Sequence, residues 1–236
     1  MAGTSAKRCR RRRRRGNPLM IFGGLLIAAA VLLTSLNFTE NRAAGEAAGD
    51  ALEQLLLAER DMRDEARRAA KEAAENEASS TSESSGGTTL DPVYLDPPDT
   101  ADGNIPVVDI DGYDYMGILQ IPALDLTLPV IADWSYPALQ IAPCRYEGSV
   151  DGHLVLSGHN FESHFGRLYD LEIGDEVRFI DLAGGITSYA VAETEVLEAT
   201  AIEEMVTGGW DLTLFTCTLS GQTRFTVRAA LAGSGT

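Results

Sequence analysis

The chain has 236 residues, of which 44% are hydrophobic and 23% charged, and its formal net charge is −16. Residues 1–17 carry a charge of +8 and no acid, so the remaining chain carries −24 and is not expected to bind nucleic acid, which requires clustered cations. The three cysteines are too few for a disulfide framework, and no Cys/His cluster has the spacing of a zinc site.

An uncharged stretch of 21 residues, 18–38, follows the arginine run. About 20 apolar residues cross the hydrocarbon core of a bilayer, and positive charge stays on the cytoplasmic side. The pattern predicts a basic cytoplasmic tail over residues 1–17, a single transmembrane helix over residues 18–38 and an extracellular C-terminal part. The alternative is a cleaved signal peptide, but the stretch exceeds the roughly 7–15 apolar residues of such peptides, and residues 37–40 make a poor cleavage site.

Two further segments precede the part of the chain that can form a core. Residues 39–78 are rich in Ala, Glu and Arg and predict an exposed juxtamembrane helix that acts as a spacer, with a weak coiled coil as the alternative. Residues 79–112 are rich in Ser, Thr, Pro and acidic residues, so they are expected to form a flexible linker.

Residues 113–236 have short β-rich apolar runs that are separated by turn residues, which is typical of an all-β sandwich or barrel. Seven runs predict strands: Gly117–Ile121, Leu126–Ile131, His153–Ser157, Asp175–Asp181, Thr187–Leu197, Leu212–Cys217 and Thr223–Leu231. Three short segments predict helices: Tyr136–Gln140, Phe165–Tyr169 and Ile202–Met205.

Three residues at strand ends can carry chemistry. Cys217 ends an apolar strand, His159 follows another, and Arg224 begins the strand after Cys217. A cysteine is a strong nucleophile near neutral pH when a neighbouring cation or imidazole stabilises its thiolate. A hairpin would place Cys217 and Arg224 on neighbouring strands. On residue type alone, however, a strand cysteine is more often buried filler.

Five segments resemble those of the sortase family. Thr213–Cys217 resembles the TLxTC signature of sortases, Ser157–Asn160 resembles their catalytic histidine motif, and Arg224–Val227 resembles the strand that begins with their arginine. Residues 118–130 resemble the opening two strands, and residues 165–175, FGRLYDLEIGD, also fit the family. No single segment is specific, but their joint occurrence in this order is.

The resemblance covers Gly117–Leu231 and implies a closed eight-stranded β-barrel with its site at one rim. It implies a membrane-bound cysteine transpeptidase that cleaves a Leu-Pro-x-Thr-Gly-like sorting signal of exported proteins. Cys217 would form a thioacyl-enzyme, His159 would act as general acid and then base, and Arg224 would donate hydrogen bonds to the oxyanion. Thr216 would help to position the peptide, and an amine of a cell-wall precursor or pilin would accept it. No cofactor or metal is implied.

Several assignments stay open at this point. Arg228 lies on the same face of its strand as Arg224 and is a rival for the arginine role. His164 is expected to be structural or solvent-facing, although it could lie near the site, and Cys144 is expected to be a buried or incidental thiol rather than half of a regulatory disulfide. The short segment 198–210 favours a class D-like or unassigned sortase.

Three other functions fit parts of the sequence, and the third makes residues 40–112 the functional part, a stalk or interaction arm, with the barrel secondary. Another cysteine peptidase is the first: the order of His159 before Cys217 excludes the papain pattern, and the caspase signature around the cysteine is absent. The second is a non-catalytic surface barrel that binds peptides, and the complete set of cysteine, histidine and arginine argues against it.

Overall fold

The computed structural model describes residues 18–80 and 106–233. The predicted basic tail and most of the predicted linker therefore lie outside the described residues. The helices are α1 Pro18–Ser80, α2 Tyr136–Ile141 and α3 Ile202–Val206, with two short 3-10 helices at Pro122–Leu124 and Leu168–Asp170. The strands are β1 Val108–Ile110, β2 Tyr113–Ile121, β3 Leu126–Ile131, β4 Cys144–Gly148, β5 Leu154–Ser157, β6 Glu176–Asp181, β7 Ile186–Glu198, β8 Leu212–Cys217 and β9 Thr223–Leu231.

Eight strands close into a mixed barrel, as predicted. Their order around the ring is β2-β3-β4-β5-β8-β9-β7-β6, and β6 pairs back onto β2. The β3–β4 and β5–β8 pairs are parallel and the other pairs are antiparallel. Strand β1 lies outside the ring and pairs with β2. Closure leaves no unpaired strand edge within the ring itself.

The barrel interior is filled by every second residue of its strands, because side chains alternate between the two faces of a strand. In β8 the inward residues include Leu212 and Leu214, and they pair in register with Ala229 and Val227 of β9. All four belong to the main buried cluster together with the fully buried Phe165. The intervening residues of β8, including Cys217, therefore face outward.

The structure corrects three local predictions. Residues Cys144–Gly148 form strand β4 and Val108–Ile110, assigned to the linker, form strand β1, although neither was predicted as a strand. The predicted helix Phe165–Tyr169 is a turn that leads into the 3-10 helix at Leu168–Asp170. β4 has only one fully buried apolar residue, so its apolar pattern is weak, and its strand form depends on pairing with β5.

Among the described residues, helix α1 contains a segment that is long and apolar enough to cross a membrane. This agrees with the predicted anchor over residues 18–38 by length and composition. The direction of insertion stays a prediction.

From Asn41 onward the described residues form one compact unit that includes the barrel. Within this unit α1 buries Ala44, Ala48, Ala51 and Leu55, which lie at spacings of three or four residues and so share one helix face. Ala48 belongs to the main barrel cluster, whereas Ala51 and Leu55 pack with Ile110 and its neighbours. The start of the predicted exposed spacer is therefore packed against the barrel, and its small residues allow close approach.

Candidate active site

Cys217 is the last residue of β8, on the outer face of the barrel, and its side chain is half-buried. It pairs in register with Arg224 of β9. Directly opposed residues of an antiparallel pair have Cβ atoms about 4.5–5.5 Å apart. The hairpin expected from the sequence therefore brings the thiol and the guanidinium to one end of the barrel.

His159 reaches the same end of the barrel because β5 and β8 are parallel. Ser157 of β5 pairs in register with Phe215 of β8, and the Gly158 N–H donates to the Phe215 carbonyl at 3.1 Å. His159 and Cys217 each lie two residues beyond this shared position. A parallel pair places the C-terminal ends of both strands at the same edge of the barrel. His159 and Cys217 therefore lie close together, because each comes two residues after a paired position.

His159, Cys217 and Arg224 line one cavity of about 410 Å³. Its walls include an aromatic row on the outer surface, in which Trp134 contacts Tyr136 with ring centroids 5.0 Å apart and Tyr146 with centroids 6.2 Å apart. Tyr146 in turn contacts Phe215, with centroids 5.3 Å apart. The cavity combines a thiol, an imidazole and a guanidinium with an apolar wall, so a nucleophile, a proton carrier and a fixed cation all face the same space.

Two residues that the sequence did not single out hold the His159 ring. Gln140, at the end of α2, places its Nε2 atom 2.8 Å from His159 Nε2, and the Phe161 ring stacks on the imidazole with centroids 4.7 Å apart. The His159 carbonyl also accepts a hydrogen bond from the Phe165 N–H at 3.0 Å. The sequence offers no signal for the Gln140 contact, because it depends on how α2 crosses between β3 and β4.

The two candidate arginines occupy different environments. Arg228 is 3% exposed and forms an ion pair with Glu195 at 2.8 Å, and it donates to the backbone carbonyls of Met205 and Glu204 and to the hydroxyl of Thr213. Arg224 is half-buried, lines the cavity and donates to the carbonyls of Gly221 and Thr223, both at 3.1 Å. The geometry therefore favours Arg224 for contact with a ligand of the cavity.

Thr216 lines the cavity beside Cys217, although its side chain is almost completely buried. Its side chain points to the barrel interior and is 1% exposed, and its hydroxyl has no hydrogen-bond partner among the residues that the structure describes.

The other histidines and the second described cysteine lie outside this cavity. Burial raises the pKa of the Cys144 thiol to about 12, so the thiol stays protonated at neutral pH. Burial likewise lowers the pKa of His164 to about 4, and its ring contacts Phe161 with centroids 5.7 Å apart. His153 bonds to the Thr213 hydroxyl at 3.1 Å, and burial lowers its pKa. His164 thus contacts Phe161, which itself stacks on His159, and Cys9 lies outside the described residues.

Within the described ranges, no cluster of three or more His, Cys, Asp or Glu side chains could hold a metal ion.

Comparison with known proteins identifies the family of this domain. Residues 119–232 match the family model of the sortase domain. The chain is 30% identical to sortase C1 from Streptococcus suis, over 51% of this chain and 74% of that one, with a TM-score of 0.46. It is 22% identical to a Clostridium perfringens sortase D5 transpeptidase, over 51% and 80%, with a TM-score of 0.46.

Sortase A from Corynebacterium diphtheriae is 22% identical, over 52% of this chain and 63% of that one, with a TM-score of 0.48. None of the curated proteins matches the chain. The segment that matches the sortase domain contains the cysteine, histidine and arginine that line the cavity at one end of the barrel. The chain belongs to the sortase family of cysteine transpeptidases.

Proposed function

We propose that this sortase cleaves a Leu-Pro-x-Thr-Gly-like sorting signal through a thioacyl-enzyme at Cys217 and transfers the product to an amine of a cell-wall precursor or pilin. The observation that supports it is the joint register of three strands. The parallel β5–β8 pair brings His159 to the cavity, and the antiparallel β8–β9 pair brings Arg224 opposite Cys217.

In the first half of the reaction, the Cys217 thiolate attacks the threonine carbonyl and forms a tetrahedral oxyanion. His159 gives its proton to the leaving amine as the carbon–nitrogen bond breaks, and a thioester to Cys217 remains. In the second half, the acceptor amine attacks the thioester and loses a proton to His159. The carbon–sulfur bond then breaks and returns Cys217 as the thiolate.

Arg224 supplies the fixed positive charge for both halves. A guanidinium that donates to a developing oxyanion contributes most when its position is set before the reaction. The in-register pairing of Arg224 with Cys217 and its two hydrogen bonds to the hairpin carbonyls set that position. We expect Arg224 to leave these carbonyls or to use its remaining N–H groups when a peptide binds.

The aromatic row offers the peptide an apolar wall. Trp134 and Tyr136 are both exposed, and an apolar leucine or proline side chain that packs on them would remove their rings from water. Insertion of α1 with its N-terminus in the cytoplasm would place this cavity outside the cell, where exported proteins emerge.

The test incubates the full-length chain in detergent micelles with a library of sorting-signal peptides and triglycine, and follows cleavage, ligation and adducts by mass spectrometry. We expect a mass increase on Cys217 and a ligated product, and neither with Cys217→Ala. Equal turnover by Cys217→Ala, or the absence of any thioacyl adduct across the library, would refute the proposal.

The arginine assignment has its own test. Arg224→Lys keeps the charge but loses the forked donor geometry, so turnover should fall sharply while the fold persists. Wild-type turnover in Arg224→Lys would remove this residue from the mechanism.

A further inference from the structure

The histidine that the proposed mechanism uses has an amide at one of its ring nitrogens. In the structure the Gln140 amide nitrogen faces His159 Nε2 at 2.8 Å. An amide N–H₂ group only donates, so the ring nitrogen that it meets has to accept with its lone pair. The neutral imidazole then carries its proton on Nδ1, since the hydrogen bond at one ring nitrogen sets the tautomer.

Helix α2 holds this amide in place. Its N-cap is Ser135, whose hydroxyl oxygen accepts from the Ala138 N–H at 3.2 Å, and Ala138 and Leu139 are buried against the barrel. At its C-terminal end the Ala142 N–H donates to the Ala138 carbonyl at 3.1 Å. A helix of six residues that is fixed at both ends and on its buried side leaves little freedom beyond the side chain of Gln140 itself.

We propose that Gln140 is a positioning residue that sets the tautomer and orientation of His159 and serves both of its protonation states, an inference that rests on the proposed function of His159. The amide donates to Nε2 in the resting neutral ring. When the ring is protonated, a half-turn of the amide presents Oε1, which accepts from the Nε2–H, so the proton that His159 exchanges with the substrate is the one on Nδ1. A carboxylate would favour the protonated ring alone.

A second contact holds the face of the ring. Phe161 stacks on the face of the imidazole at an interplanar angle of 25°, which restricts tilting, and Gln140 restricts rotation within the ring plane. His159 changes its protonation twice in each turnover of the proposed mechanism. A partner that can both donate and accept keeps the ring in one place through both changes.

The experiment compares Gln140→Leu and Gln140→Glu with wild type, using the full-length chain in micelles and ¹⁵N-labelled histidine. The chain has three histidines, so His159→Gln identifies the signals of residue 159. We expect the Nδ1-protonated tautomer in wild type, its loss in Gln140→Leu, and a higher titration midpoint of His159 in Gln140→Glu, because an opposite charge stabilises the protonated form. Gln54→Leu, a glutamine on the exposed face of α1, is the matched control.

Turnover supplies the second readout. We expect kcat of Gln140→Leu to fall about tenfold with KM within about twofold, since the loss of one oriented hydrogen bond acts on the chemical step. The Gln140 side chain is exposed, so the melting temperature should not change. A wild-type tautomer population in Gln140→Leu, or an unshifted His159 titration in Gln140→Glu, would overturn the inference.

These outcomes are separate from those that test the proposed function. If Cys217→Ala kept full turnover, the proposed mechanism would fail, yet the tautomer of His159 would still decide whether Gln140 positions the ring. If Cys217→Ala were inactive and Gln140→Leu fully active with an unchanged tautomer, the mechanism would stand and the role of Gln140 would not.

Discussion

Gly158, the residue between β5 and His159, has a neighbour that leaves no room for a side chain. A Cβ atom at this position would lie 2.5 Å from Cγ and Cδ2 of Phe165. Ordinary contact would require the ring or the backbone to move by about 1 Å, and Phe165 is fully buried, so it cannot turn away into solvent. Because the Phe165 N–H bonds to the His159 carbonyl, the displacement passes to His159.

We therefore expect Gly158→Ala to lower kcat by about 100-fold, the effect of misplacing a reacting group by about 1 Å. Overpacking should also lower the free energy of unfolding by about 1–3 kcal/mol. The assay is peptide cleavage followed by mass spectrometry, with thermal unfolding measured on the same samples.

Gly152→Ala is the matched control, since its Cβ would meet only the Ser149 hydroxyl oxygen, at 3.9 Å. It should keep wild-type turnover and stability. Wild-type turnover in Gly158→Ala, or an equal loss of turnover in Gly152→Ala, would show that the packing of Phe165 against Gly158 does not determine the position of His159.

Three further predictions concern stability. Arg228→Met should lower the free energy of unfolding by about 3 kcal/mol, because it leaves Glu195 and two carbonyls without their buried donor, and a denaturant titration that matches wild type would contradict this. His164, whose pKa burial lowers to about 4, binds fewer protons folded than unfolded, so the melting temperature should fall as the pH drops from about 6.5 through 4, and His164→Leu should flatten that fall. If the melting temperature of His164→Leu depends on pH as that of wild type does, other groups produce the dependence. Leu55→Ala should cost about 2–4 kcal/mol by denaturant titration, whereas Leu57→Ala on the exposed face of the same helix should cost less than about 1 kcal/mol, and equal losses would mean that α1 does not pack on the barrel.

The strands that could be predicted from the sequence are those with a clear apolar or alternating pattern of their own. β5, β8 and β9 are continuous apolar or alternating runs, and all three were placed to within one residue. β4 was missed because its form comes from pairing with β5 and not from its own pattern. The helix face of Ala44, Ala48 and Ala51 was also missed, since alanine favours a helix whether it is packed or exposed.

The site divides in the same way. The cysteine, histidine and arginine were predicted from their places at strand ends and from the resemblance to sortases, and the structure brings all three to one cavity. Gln140 and Phe161 could not be predicted, because their contacts with His159 join segments whose approach is set by the barrel closure. The choice between Arg224 and Arg228 also needed the register, since both lie on one face of one strand.

The two arginines of β9 have linked roles at the cavity: Arg228 holds part of its wall, and Arg224 lines it. Arg228 lies opposite Thr213 and holds the carbonyls of Met205 and Glu204, so it fixes α3, whose Ile202 and Met205 line the cavity. Arg224 lies four residues earlier on the same strand, opposite Cys217. One strand, β9, therefore positions both the α3 part of the wall and the Arg224 guanidinium. The distance between them is set before a peptide binds. Preorganisation of this kind reduces what binding has to order, which is the condition under which a fixed charge near an oxyanion contributes most.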